Sequence, residues 1–430
     1  MAEAAPRGLV FELARVTIEL DSPLTIGTGA PEDLRDAVCV TDPNGLPTIP
    51  GSTIAGVLRH LVSADPDPER DPTCRALFGY QQRSEGRSSA VEVSWAHVHD
   101  ADDHRVSHRP AVRTLDGVLA VLASGIVRDH VRLNGFGVVD GDGKHDIGAV
   151  PSGARFTFEL LVPDGAARSV ADLVALLDGP AARFGSGTRR GRGAFHVVRV
   201  MSRRFDMRQA DDRDTFVMLP RDLGAAVPIG VLSPLEHEAS ALAAGFATAT
   251  IELNPEDFWL VGGGAPEALS RTSDGSETGR RLDYFEAVTV DVAPVTEQRI
   301  RWQADKGTVT APAFVLPASA IKGPLRHRTA YHLRRLQGVW ADVAAPCVVD
   351  PPGLASLFGA IKRAESAFAS DDEMSGSPGR LIIDDAWPAD EQPQLIDHVS
   401  IDRFSGSPLD GHLFREAPLG RGALLTVRLT

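Results

Sequence analysis

Ile49-Pro50-Gly51-Ser52-Thr53-Ile54-Ala55-Gly56-Val57-Leu58-Arg59-His60 returns later in the chain as Leu316-Pro317-Ala318-Ser319-Ala320-Ile321-Lys322-Gly323-Pro324-Leu325-Arg326-His327. Each stretch reads as a Pro-x-Ser turn opening a helix, with Ser52 and Ser319 placed to cap it. Ile54, Val57, Leu58 and Leu61 share one face of the first helix. Pro324 falls in the early turns of the second, where proline is tolerated. Four further blocks repeat in the same order. Gly27-Thr28-Gly29-Ala30-Pro31-Glu32 returns as Gly262-Gly263-Gly264-Ala265-Pro266-Glu267, and Leu77-Phe78-Gly79 as Leu357-Phe358-Gly359. His130-Val131-Arg132-Leu133 returns as His398-Val399-Ser400-Ile401, and the stretch from Gly153 to Leu160 as that from Gly422 to Leu429. Five ordered blocks indicate a tandem duplication of a domain of about 200 residues, too long a period for a solenoid.

The boundary falls in the acidic, arginine-dotted and then Gly/Pro-punctuated stretch that joins the copies. This gives domains 1–205 and 244–430 with a linker at 206–243. The second copy carries an insertion at about 270–306, expected as a surface excursion. The first copy carries its own insertion between Trp95 and His130. Within one copy the pattern is strand (9–20), helix (53–62), strand (90–98), strand (155–162), helix (170–178) and strand (194–200). That order fits an α+β, ferredoxin-like or RRM-like domain with long loops. The second copy has no counterpart to the closing helix, glycine loop and strand. The expectation is that its C-terminus is incomplete, through truncation or completion by another chain.

The chain has 430 residues, with 44 Lys+Arg against 58 Asp+Glu and a net charge of -14. No apolar run approaches a membrane span, the first residues lack a signal-peptide pattern, and three scattered cysteines build neither a disulfide framework nor a zinc knuckle. A reducing cytoplasm is the expected compartment. The acidic balance argues against a nucleic-acid binder, but the distribution does not. Residues 179–205 hold seven arginines and no acid, and residues 306–341 are also free of acids, with Lys306, Lys322, Arg326, Arg328, Arg334 and Arg335. Such a chain can carry a basic groove on an acidic body.

The sharpest binding motif is Gly185-Ser186-Gly187-Thr188-Arg189-Arg190-Gly191-Arg192-Gly193. Glycines let backbone N–H groups approach phosphates, while Arg189, Arg190 and Arg192 add charge-assisted contacts. It precedes a strand rather than opening a helix, so it is neither a P-loop nor a dinucleotide fingerprint. Ser52 with Arg59, and Ser319 with Lys322 and Arg326, stand at helix starts, where free N–H groups favour phosphate. His97, His99, His104 and His108 cluster in the first insertion, and His327 and His332 lie on the second helix. A histidine general acid or base is an alternative there, although solvated loop histidines are the plainer reading.

Taken together, the glycine loops, the Pro-x-Ser blocks, Leu-Phe-Gly, His398-Val399-Ser400-Ile401-Asp402-Arg403-Phe404-Ser405-Gly406 and the glycine–arginine loop resemble the RAMP superfamily of CRISPR-associated proteins. They look most like backbone subunits of type III (Csm/Cmr-type) effector complexes. The resemblance implies two tandem modified RRM (RAMP) domains. It implies binding of a guide RNA, a β-hairpin thumb packed into the guide–target duplex, partnership with other effector subunits, and in many members cleavage of target RNA. Asp36 matches the place of the cleavage aspartate in such subunits. It would hold Mg²⁺ or help take a ribose 2′-OH proton. Asp283 and Asp291 are the corresponding candidates in the second copy. The alternatives are a histidine-dependent endoribonuclease that processes guide RNA, or a non-catalytic scaffold of the same complex.

Overall fold

The computed structural model describes residues 8–28, 39–65, 67–82, 84–106, 115–133, 139–237, 246–264, 290–339, 350–361, 376–388 and 393–430. In the first half the order is β1 (Val10–Leu20), β2 (Thr48–Ile49), α1 (Gly51–Val62), α2 (Pro72–Phe78), β3 (Tyr80–Gln82), β4 (Glu85–Arg87), β5 (Glu92–Val93) and β6 (Ala96–Val98). Then come α3 (Gly117–Ser124), the long hairpin β7 (Ile126–Leu133) and β8 (Val139–Ala149), β9 (Arg155–Pro163), α4 (Val170–Leu177), β10 (Phe195–Asp206), α5 (Ala210–Met218) and β11 (Ser233–Pro234).

These strands build a seven-stranded sheet in the order β11-β10-β1-β9-β6-β2, with β5 also paired to β9. Every pairing is antiparallel. Along β10-β1-β9-β6 the arrangement is that of the ferredoxin-like fold, in which two β-α-β crossovers interleave. Alternation along β1 explains the main core. Ala14, Val16, Ile18 and Leu20 point to one face and pack with Ile54 and Leu58 of α1 and Leu173, Val174 and Leu177 of α4. Burial of such a face is the chief stabilising term.

The other face of β1 is closed as well. Phe11 and Leu13 pack with Phe205, Leu219 and Leu232, so the stretch after β10 covers this end of the sheet. Arg15 is buried, donating to Glu159 at 2.8 Å and to the Pro220 carbonyl at 2.7 Å. Thr17 meets Thr157 at 2.7 Å, His99 Nε2 meets the same Thr157 oxygen at 2.8 Å, and His99 Nδ1 meets Asp103 at 2.7 Å. His99 is therefore a buried structural histidine and not a solvated loop residue. Its burial pushes the imidazole pKa down, against the pull of Asp103. His104 is exposed beside Asp100, and His108 lies outside the described residues.

The second half runs β12 (Ala249–Leu253), β13 (Gly262–Gly264), β14 (Ala293–Pro294), β15 (Thr296–Glu297), β16 (Ile300–Gln303), β17 (Lys306–Val309), β18 (Ala313–Phe314), α6 (Ala318–Leu336) and α7 (Leu354–Phe358). It continues with β19 (Gly359–Ile361), β20 (Gly376–Pro378), the hairpin β21 (Ile396–Ile401) and β22 (Pro408–Glu416), and β23 (Leu425–Leu429). β12 pairs with β23, Ile383 bridges Leu429, and Leu316 bridges Ala386. Leu316, Ala318, Ile383, Ala386, Leu425 and Val427 form its core.

Three local expectations need correction. Helix α1 starts at Gly51 behind Pro50, and α6 starts at Ala318 behind Pro317. Neither Ser52 nor Ser319 makes a capping bond, because each helix begins two residues earlier than a serine cap would allow. The strand expected over residues 90–98 is two short strands, β5 and β6. The second-copy insertion is no mere surface excursion from residue 290 onward. Val290, Glu297 and Ile300 are buried, and β16–β17 is a hairpin turned toward the first half.

Candidate nucleic-acid interface

The glycine–arginine loop closes against the second half. A Cβ at Gly191, whose φ is +80°, would stand 2.2 Å from an Asp385 carboxylate oxygen and 2.7 Å from Ala318 Cβ. Only glycine lets the backbone pass this close. Arg192 is buried and donates to Thr25 Oγ1 at 3.3 Å. Lys322 is buried too, donating to the carbonyls of Arg189 at 3.0 Å and Leu381 at 2.8 Å. Burial, with Arg190 and Arg128 nearby, lowers the Arg192 pKa to about 10. Burial, with Arg189 and Arg190 nearby, lowers that of Lys322 to about 8. Of the loop's arginines, Arg190 faces solvent and Arg189 is half-buried.

Gly185 and Gly187 hold the loop's first turn, with φ of +75° and +70°. Ser52 is exposed at the solvent side of α1, and Arg59 is half-buried on the same helix. Ser319 is half-buried, and Arg326 pairs with Asp350. The sequence-based phosphate set is thus split. Arg189, Arg190 and Lys322 come together at the seam between the halves, while Ser52 and Arg59 stay on α1.

The hairpin β7–β8 rises beside the loop. His130 stacks on His145, ring centroids 5.3 Å apart, and its Nε2 is buried without a partner among the described residues. Burial, then the charges of Arg192, His145, Arg190 and Arg128, lowers the His130 pKa to about 4. The unfolded chain therefore takes up this proton first as pH falls. The stability contributed by neutral His130 is fully present above about pH 6.5 and is lost as pH falls toward 4. In urea titrations His130→Gln is expected to flatten the slope of stability across this window. An unchanged slope would place the acid sensitivity elsewhere.

The hairpin β21–β22 is the second such ridge. His398 stacks on Phe414 at 4.9 Å, and Ile401, Leu413 and Phe404 stand 60%, 67% and 95% exposed. Asp402 forms the tip, accepting from the backbone of Phe404 at 2.6 Å and Ser405 at 3.2 Å. The first hairpin likewise exposes Val127, Val131 and Val139. Sequence reading took His130 and His398 as repeat markers and missed these apolar flanks. Alternating Val and Ile in a strand reads as core when nothing shows that the face carrying them meets solvent.

Asp36 and Asp283 lie outside the described residues. Asp291 is exposed at the base of β21–β22. Its Oδ2 accepts the Arg415 backbone N–H at 2.7 Å, while the Arg415 guanidinium donates to Asp397 at 2.6 Å. Asp397 stands opposite Arg415 in this hairpin, whereas in the first hairpin Asp129 stands opposite Asp146. Among the described residues no group of three or more His, Cys, Asp or Glu side chains could hold a metal ion. Asp291 thus offers one carboxylate. This fits magnesium carried largely by phosphates and water, and does not fit a cage built by protein.

Two bridges relate Asp291 to Asp36. Gly27 bridges Cys39, and Gly262 pairs with Pro294. Three residues before Cys39 is Asp36, and three before Pro294 is Asp291. Asp283 stands eleven residues before Pro294.

Among the described residues no helix is long and apolar enough to cross a membrane. No curated protein matches the chain. Residues 17–196 match the model of the RAMP superfamily, so the stretch from the end of β1 through α1, β9, α4 and the glycine–arginine loop to the start of β10 is similar to the proteins of that superfamily.

Proposed function

We propose that the protein is an RNA-binding backbone subunit of a type III CRISPR ribonucleoprotein, built from two tandem RAMP domains. The RAMP superfamily match supports the CRISPR RNA-binding class. The tandem reading is supported by matched pairings. Val93 pairs with Leu160 and Ile49 with Ala96 in the first half; Ile383 bridges Leu429 and Leu316 bridges Ala386 in the second. One member of each pair falls in a repeated sequence block, Ile49 answering to Leu316 and Leu160 to Leu429.

The observation that carries the reading is the pair of hairpins, each with a stacked histidine and exposed apolar residues on a strand ridge. Exposed Val, Ile and Phe on the two hairpins suit insertion against stacked bases. The sheet face opposite the helices, closed by ion pairs and Phe11, Leu13 and Phe205, is not free for this purpose. Backbone phosphates would then meet Arg190, Arg189 and the exposed Ser52 of α1, since Asp385 already accepts the Ala318 N–H at the start of α6. Sequence choice would rest with base pairing of the guide.

For cleavage, Asp36 is the proposed carboxylate and Asp291 its counterpart. Magnesium held by Asp36 and the RNA phosphates would supply charge neutralisation. Asp36 itself would orient or accept the 2′-OH proton. Guide RNA, target RNA and other effector subunits are the proposed partners, in the cytoplasm.

The test is to purify the protein from a host expressing its neighbouring genes and a repeat array, then sequence any bound RNA. Guide-length RNA with co-eluting proteins is expected. Protein free of RNA at low salt, with the partners present, would overturn the proposal.

A further inference from the structure

The two halves meet through buried, directional contacts that the RNA surface does not use. Arg128, at the base of β7, donates to Glu297 at 2.6 and 2.8 Å and to Asp385 at 2.7 Å. All three side chains are 3% exposed. Asp385 also accepts the Ala318 N–H at 2.8 Å, tying the triad to the start of α6. Beside it, Arg183 reaches Asp384 at 2.6 Å. From the other side the β16–β17 hairpin grips the first half. Trp302 Nε1 donates to the Gly153 carbonyl at 2.7 Å, and the Arg155 guanidinium lies 4.1 Å over the Trp302 ring. Ile300 N donates to Ser152 O at 3.0 Å and Gly307 N to Ala101 O at 2.8 Å. A Cβ on Gly153, at φ +82°, would stand 1.8 Å from the Ile300 carbonyl oxygen, so the two backbones touch.

We propose that Arg128 and Arg183, with the glycine–arginine loop as a wedge, form a preset joint that fixes the placement of hairpin β7–β8 relative to β21–β22 before any RNA is bound. Arg128 is a positioning residue: it stands two positions from His130 on the hairpin and is clamped at its far end by the second half. The joint itself needs no RNA, and only its consequence for spacing along RNA rests on the function proposed above. It is also one-way. In the register set by the Ile49–Ala96 and Leu316–Ala386 pairings, Asp384 and Asp385 correspond to Ser94 and Trp95. The first half thus lacks the two carboxylates that receive Arg183 and Arg128. A second copy of the chain could dock these arginines there only with their charges unpaired, which disfavours open-ended self-assembly.

Spin labels at Val131→Cys and Ile401→Cys, with the native cysteines replaced, read the hairpin-to-hairpin distance by double electron–electron resonance in the RNA-free full chain. A single narrow distance is expected. The Arg128→Gln/Arg183→Gln variant is expected to lose that single peak, and Arg128→Lys, which keeps the charge, to retain it. If the double variant loses its circular dichroism, a neutral Arg128→Gln/Glu297→Gln/Asp385→Asn variant replaces it, with the same broadening expected. A broad distribution in the unsubstituted joint, or an unchanged narrow one in a folded uncharged variant, overturns the proposal. A narrow distance in protein that never binds RNA leaves the joint standing and removes the RNA reading instead.

Discussion

Asp36→Ala is expected to lower cleavage of complementary target RNA by about 100-fold or more while guide RNA still co-purifies, since a positioned proton acceptor or ion ligand contributes on that scale. The separation of the two readouts carries the argument. A carboxylate at the cleavage point acts in the transition state, whereas the arginines and hairpins hold RNA in ground and transition state alike. Asp291→Ala is expected to cost less, because Arg415 and Asp397 already form a neutral pair beside it. Asp283→Ala, out of register with Asp36, is expected to leave cleavage intact. If Asp36→Ala cleaves at the unsubstituted rate, the carboxylate mechanism fails. The histidine alternative would then require activity that survives chelation of divalent ions. His99 is a poor candidate for that activity, with one ring nitrogen on Thr157 and the other on Asp103 in the closed face of the sheet.

Arg128→Met is expected to destabilise the protein by about 3–5 kcal/mol, the usual cost of stranding buried carboxylates without their cation. Burial disfavours the guanidinium charge, but Asp385 and Glu297 outweigh it and raise the Arg128 pKa. The guanidinium therefore keeps its charge in the folded chain, while burial raises the Asp385 pKa against the pull of Arg128. Adding Glu297→Gln and Asp385→Asn to Arg128→Met should recover much of the loss, since no buried charge then remains unpaired. Chemical denaturation of the series, read as a mutant cycle, checks this. A single substitution costing under about 1 kcal/mol, the range of exposed ion pairs, would show that water reaches the triad.

The first half of the fold was readable because its signals are local. Alternation along β1 and the apolar spacing of α1 and α4 name the core directly. The helix starts were misread by two residues. A serine after Pro-Gly looks like a cap, but Gly51 packs against the carbonyls of Val93 and Ser94, a contact made at long range. The binding loop shows the same limit more sharply. Glycines and arginines in series announce phosphate chemistry, yet Arg192 and Lys322 are buried where the two halves meet. Nothing in their local sequence reveals that the loop of one half packs on the helix of the other. The register linking Asp36 and Asp291 was likewise hidden by the second-half insertion, and only the bridges at Gly27 and Gly262 restore it.

The strap formed by β16–β17 grows from a place where the first half has a tight turn. Thr41 bridges Pro47 around Asp42-Pro43-Asn44-Gly45, and Thr296 pairs with Phe314 around the strap. The ends of such a turn already lie side by side, so lengthening it adds little closure entropy and leaves the flanking strands undisturbed. Because strap and target share one polypeptide, the seam closes at an effective concentration set by the connecting segment rather than by the amount of protein in the cell. Contacts too few to hold two separate subunits together can then stay made on dilution. What would be an assembly equilibrium between neighbours becomes a step of folding, so neither half can be exchanged independently of the other.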